Sequence, residues 1–190
     1  MIKKIFNPKG FTLIELIIVF TVIAILSVGG IAAFVSYSQT QSLSNDRENI
    51  ITILNLAKAN TTSQLKSTSS ATCNGTLEGY SVIFTTSGAN ANTYNLYVRC
   101  TGNTASLPLV REVKINNTPY KLSKGITFIT SGTNPMNVSS VFFTVLTGGI
   151  EVKNLSNGIT NCSSSSCRIV INGFSKGPKT ITIDSSGSIK

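Results

Sequence analysis

The sequence predicts an α+β fold in which one long N-terminal helix packs on an antiparallel β-sheet or a small β-sandwich. Two observations carry this prediction. Apolar residues run almost without interruption from Phe11 to Val35. After about residue 67 the pattern changes to short runs of β-branched and aromatic residues, separated by glycine, asparagine and serine, with no second convincing helix. Such a pattern is typical of a helix followed by a meandering sheet.

The apolar run is long enough to cross a membrane. Phe11 to Phe34 is 24 residues, and a helix rising ~1.5 Å per residue reaches about 36 Å over that length, against a hydrocarbon layer of ~30 Å. The basic residues Lys3, Lys4 and Lys9 precede the run and predict that its N-terminal end stays in the cytoplasm. The run nevertheless contains one acid, Glu15. A carboxylate at the bilayer centre costs ~2.5–3.5 kcal/mol, and less near the end of the span, so its presence indicates a specific partner.

The helix is expected to continue beyond the apolar run, over residues 12–64. No proline interrupts it, and its second half is amphipathic, with apolar residues at roughly helical spacing. The residues at this spacing are Leu43, Ile50, Leu54 and Ala57. A stripe of Ile50, Leu54 and Ala57 is predicted to pack onto the β-rich part. Gly29-Gly30 is the weakest helical point, at ~1 kcal/mol per glycine relative to alanine, which suggests a local bend there.

Seven runs have strand character: 80–84, 94–98, 110–115, 126–129, 141–146, 168–171 and 179–183. Gly148-Gly149, between Leu146 and Ile150, predicts a hairpin. The Ser/Thr cluster at 67–71 is interpreted as the linker from the helix to a β-rich head, residues 67–190.

Composition argues against an enzyme. The chain contains no histidine, so no Ser-His-Asp, Cys-His or His-ligated metal site can be built from it. Its formal net charge is +9. The cysteines lack the paired spacing of a zinc site, and no phosphate-binding glycine loop is present. We therefore expect no cofactor and no metal. The acids of the head are scattered along the sequence: Glu78, Glu112, Glu151 and Asp184.

Four cysteines lie in the head: Cys73, Cys100, Cys162 and Cys167. An even number in an exported domain favours two disulfides. Of the three pairings that four cysteines allow, sequence separation favours Cys73–Cys100 and Cys162–Cys167.

The segment Lys9-Gly10-Phe11-Thr12-Leu13-Ile14-Glu15-Leu16 resembles the cleavage and methylation motif of type IV prepilins and type II secretion pseudopilins. The resemblance implies that a prepilin peptidase/methyltransferase cuts between Gly10 and Phe11 and methylates the new amine of Phe11. It also implies that Glu15 pairs with the amine of a neighbouring subunit during assembly. The motif covers only the first part of the chain.

The resemblance divides the chain into a basic leader that is cleaved (1–10), a transmembrane and fibre-core helix (11–35), an amphipathic continuation (36–66) and the head (67–190). The end of the head, Thr180 to Ile189, is similar to H-type minor pseudopilins and FimT-like minor pilins. FimT-like pilins are linked with DNA uptake. That similarity makes DNA an alternative partner, with Lys176, Lys179 and Lys190 as candidate contacts; a solvated basic face is the competing interpretation.

The sequence thus predicts a minor pilin or pseudopilin, a structural subunit of a type IV pilus or a type II secretion pseudopilus. The alternative is a minor pilin that binds DNA or another ligand for uptake or adhesion. The expected location is the inner (cytoplasmic) membrane, crossed once, with the head in the periplasm or outside the cell, and then the assembled pilus or pseudopilus. The expected partners are the peptidase, other pilin or pseudopilin subunits, and an inner-membrane assembly platform.

Overall fold

The computed structural model describes residues 10–65, 76–101, 110–115, 118–145, 149–156, 158–160, 162 and 167–190. The chain divides into two compact units, one up to Gln39 and one from Thr40 onward. A single helix, α1, spans Leu13–Thr62, close to the predicted range. It continues through Gly29-Gly30 without a break in the helix, and the local bend suggested there stays a prediction.

The described strands are β1 Thr76–Thr85, β2 Thr93–Thr101, β3 Val110–Lys114, β4 Tyr120–Lys121, β5 Ile126–Phe128, β6 Ser140–Thr144, β7 Ile150–Lys153, β8 Ile159–Thr160, β9 Cys167–Gly173 and β10 Lys179–Ile183. They form a seven-stranded sheet in the order β3-β2-β1-β6-β7-β8, with β4 also paired to β2, and a three-stranded sheet in the order β10-β9-β5. All the pairings are antiparallel. The α+β prediction is confirmed.

Each of the seven predicted runs overlaps a strand, and β6 pairs with β7 as the hairpin prediction requires. Residues 146–148 of that hairpin and the predicted linker at 67–71 lie outside the described residues. The two-residue strands β4 and β8 were not predicted. Each is too short to show an alternating pattern in the sequence.

The second half of α1 supplies one side of the hydrophobic core. The predicted stripe of Ile50, Leu54 and Ala57 is completely buried, with 0% exposure at each residue, and Leu43 is buried to the same extent. The stripe packs with alternate residues of β1, such as Tyr80 and Val82, and with β9 and β10 residues of the smaller sheet. Both sheets therefore share one core with the helix, and the stripe prediction is confirmed.

Polar contacts add to this packing. Asp46 is only 5% exposed, and its carboxylate accepts hydrogen bonds from the backbone N–H of Ser123 (2.7 Å) and from its hydroxyl (3.0 Å). Farther along α1, Lys58 Nζ donates to the carbonyl of Gly187 at 2.9 Å. The helix is thus tied to the β4–β5 connection and to the turn that follows β10.

One disulfide connects the two sheets. Cys162 and Cys167 are bonded, with their Cα atoms 5.2 Å apart. Cys162 follows the edge strand β8 and Cys167 opens β9, so the bond holds the edge of the larger sheet beside the central strand of the smaller one. Cys100 is also disulfide-bonded. Cys73 lies outside the described residues, and the Cys73–Cys100 pairing stays a prediction.

Candidate assembly site

The start of α1 is an N-cap built by a threonine. Thr12 precedes the helix, its hydroxyl accepts the backbone N–H of Glu15 (3.4 Å), and its carbonyl accepts the N–H of Leu16 (3.3 Å). The Thr-x-x-Glu spacing is that of a capping box, which satisfies backbone donors at a helix start. The sequence reasoning did not use this signal, although Thr12 and Glu15 are separated by the required three residues.

Glu15 consequently lies in the first turn of α1, where the partial positive charge of the helix end favours a carboxylate. It is exposed. Across the described parts of the chain, the salt bridges that form involve Glu48 and Glu78 and leave Glu15 without a cation within 4 Å. A helix cannot fold its own end back onto a first-turn side chain, so a cation that pairs with Glu15 has to come from outside the described helix.

The predicted cleavage point is open. Gly10 and Phe11 both precede the helix and are exposed, with Phe11 at 80%. An extended, exposed peptide bond is the form that a protease can engage, because a helical bond would first have to unfold. Lys9 lies outside the described residues.

The apolar segment 11–35 is exposed along its length, apart from the side chain of Val28, which is not described. Its most apolar stretch has a mean hydropathy of 2.7, none of it is buried, and α1 is long and apolar enough to span a membrane. Besides the capping hydroxyl of Thr12, the segment has two hydroxyls, and both bond to their own helix: Thr21 Oγ1 donates to the carbonyl of Ile18 (2.8 Å) and Ser27 Oγ to that of Ile23 (2.7 Å). A hydroxyl satisfied in this way does not need water, so the helix tolerates lipid or protein on every side.

Comparison with known proteins bears on the same segment. Residues 5–31 match the family described as the prokaryotic N-terminal methylation motif. The match supports a prepilin-type N-terminus, of the kind found in pilin-like and pseudopilin subunits. No curated protein and no solved structure matches the chain. The match ends within the first half of α1 and includes no residue of the β-rich part of the chain.

The structure separates the three candidate DNA-contacting lysines. Lys176 is exposed in the turn between β9 and β10, and Lys179 is half-buried at the start of β10, opposite Ile171. Lys190 lies opposite Thr182, with which it exchanges two backbone hydrogen bonds of 2.9 and 3.0 Å. Because successive residues of a strand alternate between faces, Lys179 and Lys190 lie on opposite faces of the smaller sheet.

Lys190 is grouped instead with an arginine. Thr182 pairs with Arg168 on its other side, so Arg168, Thr182 and Lys190 form a row across one face, and the two cations are separated by two strand spacings, about 10 Å. The Nε of Arg168 is buried and has no hydrogen-bond partner among the described residues. Strand pairing alone brings Arg168 and Lys190 together, and no local sequence pattern indicated it.

The turn between β10 and Lys190 contains one acid, Asp184. Asp184 accepts hydrogen bonds from the hydroxyl of Ser186 (2.5 Å) and from the N–H groups of Ser186 and Ser188 (2.9 Å each). The hydroxyl of Ser186 is the main reason why the pKa of Asp184 is lowered; the Ser188 N–H and the charge of Lys190 lower it further. Asp184 therefore remains ionised near Lys190 and partly offsets its charge.

Proposed function

We propose that this protein is a minor pilin or pseudopilin whose mechanism is structural assembly. A prepilin peptidase cuts between Gly10 and Phe11 and methylates the new amine of Phe11. The apolar segment then leaves the bilayer and packs among the corresponding helices of neighbouring subunits, driven by an inner-membrane assembly platform. Glu15 pairs with the N-terminal amine of a neighbour, and this contact sets the stagger between subunits.

One observation carries the proposal: a helical apolar segment that is exposed on all sides begins directly behind an open Gly10-Phe11 bond. A soluble protein would bury such a helix, because each exposed Å² of apolar surface costs ~25 cal/mol in water. The methylation motif at residues 5–31 supports the same interpretation. The hydroxyls that bond within the helix make one surface suitable for both lipid and a fibre interior.

The first experiment is intact mass measurement and N-terminal sequencing of the protein purified from membranes. A chain that begins at Phe11 and is one methyl group heavier than its sequence mass, after allowing for the disulfides, supports the proposal. A chain that still begins at Met1, in cells with an active peptidase, refutes it and leaves a simple membrane-anchored β-rich head.

The second experiment tests Glu15. Glu15→Ala is expected to insert into the membrane and to be cleaved normally, but to enter fibres at least tenfold less. Glu48→Ala is the matched control, since Glu48 is an exposed glutamate of the same helix whose only described ion pair is with the adjacent Arg47. Normal incorporation of the Glu15 variant contradicts the pairing; equal loss in both variants indicates a general defect of the helix.

DNA binding by the head is the second candidate function. The structure favours the row of Arg168, Thr182 and Lys190 as the contact surface, in place of the three lysines named from the sequence. Neutralising Arg168 and Lys190 together should weaken binding to duplex DNA and reduce the slope of log affinity against log salt by about 2, one for each phosphate contact. Lys124→Ala is the control, because Lys124 is an exposed cation in the β4–β5 connection. An unchanged salt slope in the double variant excludes this face as the DNA site.

A further inference from the structure

Tyr37 is the aromatic residue that ends the apolar segment. It is 69% exposed, it lies within α1, and serines flank it on both sides. From Ser36 to Asn45 the chain contains no charged residue. Tyrosine in such a position is typical of the membrane–water interface, where the ring lies among the acyl chains and the hydroxyl among the headgroups.

The spacing between Tyr37 and Glu15 matches the thickness of a bilayer. The two residues are 22 positions apart in one unbroken helix, which is about 33 Å at ~1.5 Å per residue, and the hydrocarbon layer is ~30 Å thick. No charged residue lies between them. One position of the helix therefore places Glu15 at one face of the bilayer and Tyr37 at the other. A shift of the helix by one turn would draw one of the two into the hydrocarbon.

We propose that Tyr37 is an interfacial anchor that binds the headgroup region of the outer leaflet and sets the depth of the helix. At that depth Glu15 is level with the headgroups on the cytoplasmic side. Its carboxylate stays hydrated until a subunit is withdrawn, and Gly10-Phe11 lies on the cytoplasmic side of it, outside the hydrocarbon. The inference rests on the membrane-resident stage of the proposed function, and it does not depend on cleavage, methylation or the pairing of Glu15.

The absence of tryptophan from the chain allows a direct measurement of depth. Three full-length variants each carry one tryptophan: Leu16→Trp beside Glu15, Leu26→Trp at the midpoint and Tyr37→Trp at the anchor. They are placed in vesicles of phosphatidylcholine and phosphatidylglycerol that contain lipids brominated at different acyl positions. We expect strongest quenching by shallow bromines for L16W and Y37W, and by deep bromines for L26W. Deep quenching of L16W overturns the proposed register.

The anchoring role is tested in the L16W background. Adding Tyr37→Ser should shift or broaden the quenching profile of L16W, whereas the neighbouring change Ser38→Ala should leave it in place. Equal profiles with and without Tyr37→Ser overturn the anchor. If none of the three tryptophans is quenched by bromines at any depth, the helix has not entered the bilayer, and that result counts against the proposed function itself.

Discussion

Asp46 provides the sharpest test of how the helix is held on the sheets. The residue is only 5% exposed, and its carboxylate accepts two hydrogen bonds from Ser123. A net hydrogen bond to a charged group is worth ~1.5–3 kcal/mol, but the two share one carboxylate and do not add fully. Ser123 is exposed, so water replaces part of the loss. We therefore expect Asp46→Ala to lower the free energy of unfolding by about 2 kcal/mol.

Asp46→Asn keeps one acceptor oxygen, and Ser123→Ala keeps the backbone donor, so each should cost about 1 kcal/mol. The assay is thermal unfolding of the full chain in detergent, followed by the near-ultraviolet circular dichroism of its tyrosines. A folded unit of about 150 residues loses roughly 2–4 °C per kcal/mol, which predicts a fall of about 6 °C for Asp46→Ala. Glu48→Ala serves as the control, because exposed ion pairs contribute ~0–1 kcal/mol. A melting temperature for Asp46→Ala equal to that of the unmodified chain would refute the reasoning.

The remaining predictions concern a strand glycine, the disulfide and a buried tyrosine. Gly79→Ala should lower the free energy of unfolding by more than about 3 kcal/mol, because the added carbon would lie 1.9 Å from a backbone carbonyl oxygen of β6. Gly88 also has a positive φ, but an added carbon there would meet no atom within 4 Å, so Gly88→Ala should cost only ~1 kcal/mol in denaturant titrations. Replacing Cys162 and Cys167 by serine should lower the free energy of unfolding, measured by denaturant titration, by about 2 kcal/mol, the chain-entropy value for so short a loop. Burial, followed by nearby negative charge, raises the pKa of Tyr94 far above its ordinary value of 10.0. The contribution of Tyr94 to the free energy of unfolding is therefore fully present below pH ~10 and is lost above it, since the tyrosine of the unfolded chain ionises first. An alkaline absorbance titration in which every tyrosine ionises near its ordinary pKa would contradict this.

Local periodicity predicted those elements in which burial follows a regular repeat. Leu43, Ile50, Leu54 and Ala57 recur at helical spacing because one face of α1 meets the sheets, and all four are completely buried. In β10, buried Ile181 and Ile183 alternate with the more exposed Thr180 and Thr182, because one face of the strand lies in the core. The contact between Asp46 and Ser123 could not be predicted, since the residues are 77 positions apart and a single acid beside a hydrophobic stripe has the same pattern whether it is buried or solvated.

The basic residues show the limit of reasoning from neighbours in sequence. Lys176 and Lys179 are three positions apart, yet only Lys190 shares a face of the smaller sheet with Arg168, through the pairing of β9, β10 and the chain end. Proximity in sequence places residues on one strand, whereas shared faces depend on register. A single step of register moves a side chain to the other face.

By itself the sequence determined the membrane-length helix, the prepilin-type start, the amphipathic stripe and the strand-rich head, because each depends on residues that are adjacent or periodic along the chain. Only the tertiary structure decided that the strands divide into a seven-stranded and a three-stranded sheet, and that Asp46 is buried against Ser123. These features arise from packing between distant segments. Their free energy comes from contacts that exist only after both segments are in place, and no local pattern along the chain records them.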